Sequence, residues 1–152
     1  MRIMINKIHK NKLNVLIIGG SSGLGLKLGL LLAKSYKIFI TGIKDPRRKR
    51  LCFMSLEIKS SHRLSHALDK VLARIGPINI LIYTAGFYQD GVISDIEDDD
   101  IAAMINVKLT APAMILQRIL RSQKKLPGFI AITSTSQFTP RLREPIYAAV
   151  NA

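Results

Sequence analysis

The sequence predicts an α/β fold: a doubly wound parallel sheet with helices on both faces. Three observations predict it. Short, wholly apolar β-prone runs recur along the chain, amphipathic helical stretches separate them, and a glycine-rich turn joins the first run to the first helix. Strands that are apolar throughout are buried on both faces, which is what parallel sheets with right-handed helical crossovers provide.

The first strand, 15–18, is continuous Val-Leu-Ile-Ile running into glycines. Residues 25–35 follow as a helix, with leucines at 26, 28, 30, 31 and 32 and lysines at 27 and 34 giving one broad apolar face. Residues 38–41 form a second strand and 51–54 a short third. Ser60 and Ser61 cap a helix running to about Ile75, with Leu64, Leu68, Val71 and Leu72 at i, i+4, i+7 and i+8; Gly76-Pro77 stops it. Residues 79–83 are the fourth strand, ended by Thr84-Ala85-Gly86. The acidic run Glu97-Asp98-Asp99-Asp100 suits a helix N-terminus, where negative charge complements the helix dipole, rather than a metal site. That helix extends from about residue 98 to 123, with Pro112 demanding a local adjustment, and residues 129–133 form the fifth strand.

Composition narrows the class. The 152 residues suit a single domain over the whole chain, and 48% hydrophobic content is too high for a disordered basic tail. Cys52 is the lone cysteine, which excludes an intrachain disulfide framework and a cysteine-based zinc site and points to a reducing, cytoplasmic setting. The apolar stretch 13–33 is broken by glycines, serines and Lys27, so no membrane span is expected. The basic lead-in before it lacks the small-residue cleavage site of a signal peptide. Of the net charge of +13, all falls in residues 1–76, with 16 basic and 3 acidic side chains, and its densest run is residues 47–50. Such a run is ordinarily a solvated loop. Nucleic acid is disfavoured, since no aromatic residue interleaves it and no helix-turn-helix or zinc-finger spacing occurs. A phosphate-bearing cofactor is the third reading.

Gly19-Gly20-Ser21-Ser22-Gly23-Leu24-Gly25, between the first strand and first helix, is the strongest local signal. This spacing makes a tight turn, lets backbone approach a pyrophosphate, and presents free helix N-terminal N–H groups to it. Here the chain resembles the short-chain dehydrogenase/reductase family. The family's T-G-x-x-x-G-x-G matches residues 18–25 with Ile18 for threonine, and its N-N-A-G matches Tyr83-Thr84-Ala85-Gly86 in the last two positions. Asn106 matches the helix asparagine, Ser134 the serine after the fifth strand, and Tyr147 the tyrosine of Y-x-x-x-K, at the family's usual spacing from that serine. The matches run in order over nearly the whole chain.

The resemblance implies a Rossmann-like sheet of order 3-2-1-4-5 and an NAD(P)-dependent oxidoreductase acting on a small carbonyl or alcohol. It assigns cofactor binding to Gly19, Ser21, Ser22, Gly23, Leu24, Gly25, Ala85 and Gly86, proton transfer to Tyr147, substrate binding to Ser134 and proton relay to Asn106. Three departures stand against it. The lysine position is Asn151, the aspartate expected to contact adenine after the third strand corresponds to Ser55, and the chain lacks the usual C-terminal strands and looks truncated. Tyrosine ionises near pH ~10, too high for base work at neutrality unless a cation lies beside it. Arg141 and Arg143, on the loop before Tyr147, are the candidate substitutes, although loop residues usually face solvent. The alternative is a catalytically inactive dinucleotide-binding or interaction protein.

At the end of the second strand no acidic residue precedes Asp45, whereas Lys44, with Arg47 and Arg48, offers charge to a 2′-phosphate. NADP is therefore favoured, with NAD possible. The exposed fifth strand predicts a homo-oligomer or a partner covering it. In the resemblance the helix matching 98–123 makes subunit contacts, which its apolar positions Met104, Leu109, Ala113, Leu116 and Leu120 serve in part, core packing explaining most of them.

Overall fold

A computed structural model describes residues 12–152. The basic lead-in therefore lies outside the described residues except for Lys12. Five strands form one parallel sheet in the order β3-β2-β1-β4-β5. They are β1 (Asn14–Ile18), β2 (Lys37–Gly42), β3 (Cys52–Ser55), β4 (Ile80–Tyr83) and β5 (Gly128–Ala131). The sheet and its order are those expected. Strand ends differ by a residue or two, as at β3, which starts and ends one residue later than the apolar run.

Period-two alternation sends the strand residues to opposite faces. Val15, Ile17, Ile38 and Ile40 pack under α1 (Gly23–Leu32), while Leu16, Ile18, Leu81 and Tyr83 meet α2 (Ser61–Ile75) and α4 (Ala111–Gln123). Helix α1 corrects the expectation of one broad leucine face. It starts two residues early and buries Gly25 and Gly29, with Leu26, Leu28 and Leu32 at the flanks, whereas Leu30 and Leu31 are exposed. Glycines at i and i+4 bring the helix axis so close to the sheet that only the flanking leucines reach it.

Helix α2 begins as its capping serine predicts, with Ser60 Oγ accepting from Arg63 N–H. The long helix 98–123 is continuous but uneven: α3 (Asp98–Ile105), a π-helical turn (Asn106–Thr110), then α4. Asp98, Asp99 and Asp100 fill the first turn of α3, although no side chain caps it. Its core stripe is Met104, Val107, Ala111, Ile115 and Ile119; Leu109 and Leu120 of the expected contact positions face outward, joined by Ile105.

Pro112 explains the π-turn. Proline has no N–H and its ring crowds the preceding turn. The Ala111 N–H bonds back to the Asn106 carbonyl, five residues away. The Val107 carbonyl then has no helical donor, because its i+4 partner is engaged and its i+5 partner is proline. The buried Tyr83 hydroxyl supplies the missing bond by donating to Val107 O. A second helix end thus becomes tied to the end of β4. A short helix, α5 (Pro145–Ala149), carries Tyr147 and packs on α3 and on the turn Thr135–Gln137. No helix of the described residues is long and apolar enough to cross a membrane.

Candidate active site

The C-terminal ends of β1, β2, β3 and β4 open onto one cleft of about 620 Å³. Open parallel sheets bind ligands there, where the strand order reverses. Its floor is the β1–α1 turn, with Gly19, Ser21, Ser22, Gly23, Leu24 and Gly25 all lining it. Gly19 has φ +81°, and a Cβ there would lie 2.7 Å from the Ala85 backbone. A Cβ on Gly25 would lie 2.5 Å from the Gly19 carbonyl oxygen and 2.4 Å from Thr84 Oγ1. Both glycines let the turn sit against β4, and Thr84 locks that approach through N–H and Oγ1 donation to the Ile18 carbonyl.

The start of α1 is left open for an anion. Ser22 is its N-cap residue but makes no side-chain cap hydrogen bond, no acidic residue occupies the first turn, and Gly23 (φ +51°) has nothing within 4 Å of where a Cβ would stand. Unpaired N–H groups at the positive end of a helix dipole form an anion site. A dinucleotide fits this donor set: its pyrophosphate matches the turn, and Ser22 keeps a free hydroxyl beside it.

The β2–β3 side of the cleft is lined by Lys44, Asp45 and Pro46, with Leu56, Glu57, Ile58 and Lys59. Lys44 is in the lining as expected, whereas residues 47–50 are outside it on an exposed loop. Asp45 accepts from the Arg47 N–H at 2.7 Å, a local turn contact. Ser55 lies within β3, paired with Gly42, and is outside the cleft lining, in which Glu57 stands two residues on. The apolar run ends at Met54, one residue before the strand does. On the other side lie Thr84, Ala85, Gly86, Phe87 and Val107. Lys59 Nζ stands 3.5 Å from the Phe87 ring centroid, and the Lys59 carbonyl accepts from Asn106 Nδ2 at 3.0 Å, which joins the two walls.

The remaining candidates gather past the end of β5. Ser134 caps the turn Thr135–Gln137, accepting from Ser136 N–H and donating to Ser136 Oγ at 3.1 Å. Ser136 Oγ donates to buried Glu144 at 2.8 Å, which ties this turn to α5. The Tyr147 ring packs edge-on against Tyr88, 5.0 Å between centroids. Asn151 bonds to its own helix: its Nδ2 donates to the Tyr147 carbonyl at 2.8 Å, while its buried Oδ1 has no partner.

Neither loop arginine supplies a cation to Tyr147. Arg143 forms a two-pronged pair with Asp90 at 2.8 and 2.6 Å, which holds the Asp90 carboxyl below its ordinary range, and Arg141 pairs with Glu144 at 3.2 Å. The cation nearest Tyr147 comes from a residue that sequence reasoning passed over. Lys108 Nζ lies 5.9 Å from the Tyr147 ring centroid and donates to the Ile132 carbonyl at 3.2 Å. A π-helical lysine reaching across to β5 leaves no periodic signature, so its sequence gave no hint of this position.

A family model described as short chain dehydrogenase matches residues 13–151. The 3-oxoacyl-acyl-carrier-protein reductase MabA of Mycobacterium avium is 28% identical over 142 residues, covering 91% of this chain and 56% of that reductase. The solved structure of ElxO with NADP bound is similar with a TM-score of 0.78 at 20% identity, over 93% of this chain and 63% of that one. Actinorhodin polyketide ketoreductase with NADPH gives a TM-score of 0.79 at 18% identity, over 92% of this chain and 60% of that one. At these identities the structural likeness speaks for the fold. The chain spans about half the length of the curated relatives it matches.

Proposed function

The chain belongs to the short chain dehydrogenase family, and from that premise we propose that it is an NADP(H)-binding oxidoreductase for a small carbonyl or alcohol. The observation that carries the reading is the uncapped start of α1, facing a cleft whose β2 side holds Lys44 and whose far side is lined by Ala85 and Gly86. Gly19, Ser21, Ser22, Gly23, Leu24 and Gly25 hold the pyrophosphate, Ala85 and Gly86 line the path to the reacting end, and Lys44 pairs with a 2′-phosphate. The chemistry supplied by the dinucleotide when bound is hydride transfer to or from carbon.

In the reducing direction Tyr147 gives its phenolic proton to the carbonyl oxygen while the carbon gains the hydride, so C=O becomes H–C–O–H. Ser134 donates to the same oxygen and orients it. Asn106 keeps the α3–α4 turn docked on the Lys59 carbonyl. NADP-bound and NADPH-bound structures among the similar folds support the cofactor. The exposed thiol of Cys52 suits a reducing, cytoplasmic setting.

Titrating the purified chain with NADPH and NADH tests the binding half, with tighter NADPH binding expected; tighter NADH binding overturns the NADP assignment. A panel of small ketones tests the chemistry: Tyr147→Phe is expected to lower turnover by about 10²-fold or more while leaving NADPH affinity in place. A second reading, dinucleotide binding without turnover, is favoured by Asn151, which brings no charge to Tyr147 and whose Nδ2 bonds to its own helix. NADPH binding with no reduction of any ketone selects it.

A further inference from the structure

Lys108 is a half-buried ammonium with one hydrogen bond, to the Ile132 carbonyl, and no carboxylate within 4.0 Å among the described residues. Burial pulls it below the ordinary lysine range, with no opposing charge to hold it up. A desolvated charge without a partner is costly unless a ligand completes it, and such groups concentrate at binding sites. Two of its three N–H bonds are left to spend.

Its place says on what. The cleft runs across the strand ends, with Lys44 over β2, the phosphate turn over β1, and Ala85 and Gly86 over β4. With the pyrophosphate at the start of α1 and the adenosine ribose at the end of β2, the second half of a dinucleotide must lie over β4 and β5. Lys108 belongs to that half: a Cβ on Gly86 would sit 3.7 Å from its Cε and 3.8 Å from its Nζ, and the Tyr147 ring centroid is 5.9 Å from that Nζ.

We propose that Lys108 is a cofactor-binding residue of this site, donating from Nζ to the hydroxyls of the ribose that carries the nicotinamide. Asn151 carries no charge, and its Nδ2 is engaged with the Tyr147 carbonyl. Lys108 thereby places a positive charge between the cofactor and Tyr147, from a helix other than the one carrying the tyrosine. The inference rests on the dinucleotide reading above.

The test compares two probes on the full chain by calorimetry. NADPH has both halves, whereas adenosine 2′,5′-bisphosphate has only the half that reaches Lys44. Lys108→Met is expected to weaken NADPH about tenfold or more, as loss of a charged hydrogen bond does, and to leave the bisphosphate within about twofold. Lys108→Arg should retain most of the NADPH affinity. Lys108→Gln, which keeps a donor for the Ile132 carbonyl, should behave like the methionine variant and guards against a folding defect in it. Lys44→Met should weaken both probes. Equal weakening of both probes by Lys108→Met and Lys108→Gln would mean a structural role and overturn the assignment, as would NADPH affinity unchanged in both. If the unaltered chain binds neither probe, the dinucleotide reading itself fails and the assignment falls with it. Binding of both probes with a wrong Lys108 pattern sinks the lysine alone.

Discussion

Tyr83 occupies a position where the family pattern has asparagine, and the structure gives that departure a physical purpose. Its hydroxyl satisfies the Val107 carbonyl that Pro112 deprives of a helical donor. Tyr83→Phe leaves a buried acceptor unpaired and should destabilise the fold by about 1–3 kcal/mol, read from urea unfolding at neutral pH. The same residue sets an alkaline limit. Burial raises the Tyr83 phenol above its ordinary value of 10.0. Below about pH 10 folded and unfolded chains both keep this proton, and its ionisation costs nothing. Above that pH the unfolded chain loses a proton that the folded chain retains, so stability falls as pH rises further. The unfolding midpoint of Tyr83→Phe should therefore fall less steeply between about pH 10 and 11.5 than that of the unaltered chain. Parallel slopes would remove Tyr83 from the account. None of this pairing was legible in the sequence: Pro112 announced a disturbance, but not which carbonyl it would orphan.

At the scale of elements, the β1–α1 turn was the most legible part of the chain. Its glycines are demanded by local backbone geometry and by close approach to one neighbouring strand. Gly25→Ala tests this, because its Cβ would meet Gly19 O and Thr84 Oγ1 inside contact distance. The start of α1 must then lift from β4, and NADPH affinity is expected to fall at least about tenfold, with a drop in thermal midpoint. Unchanged affinity would mean that the turn does not hold the phosphates. Ser55 and Glu57 show the opposite case. β3 sits one residue later than its apolar run, which keeps Ser55 in the strand and leaves Glu57 in the cleft wall, since an apolar run marks a strand's middle more sharply than its end. The leucines of α1 misled for a related reason: a helix so rich in leucine has no clear apolar stripe, and the glycines decided which side faced the sheet.

For the whole molecule, two of the apolar surfaces on the described residues bear on association. Ile105, Leu109 and Leu120 lie along the outside of α3–α4, and Phe129 and Ile130 along the edge strand β5. We expect a second copy to cover the helical stripe, where Leu109 is 63% exposed. Sedimentation velocity across a concentration series should show self-association that Leu109→Glu reduces without lowering the thermal midpoint. Ile130→Lys, at the β5 edge, separates association through the strand from association through the helices. If the unaltered chain does not self-associate, the expected oligomer is absent; if it does and neither variant changes the sedimentation, neither surface carries it.

The sequence by itself determined the parallel α/β sheet, its helices and the glycine turn, because strand burial, helix periodicity and tight turns are written in residues close together in the chain. Ser134 and Tyr147 were legible as candidates for a similar reason, being thirteen residues apart in one recognisable pattern. Only the tertiary structure decided which charges stand where. Arg143 went to Asp90, and Lys108 came across from the π-turn to the Ile132 carbonyl just past β5 and to Tyr147. Hydrogen bonds and charges reach partners 24 to 53 positions away, and such pairings leave no period in the sequence. They exist only once the sheet has brought β4, β5 and the long helix together.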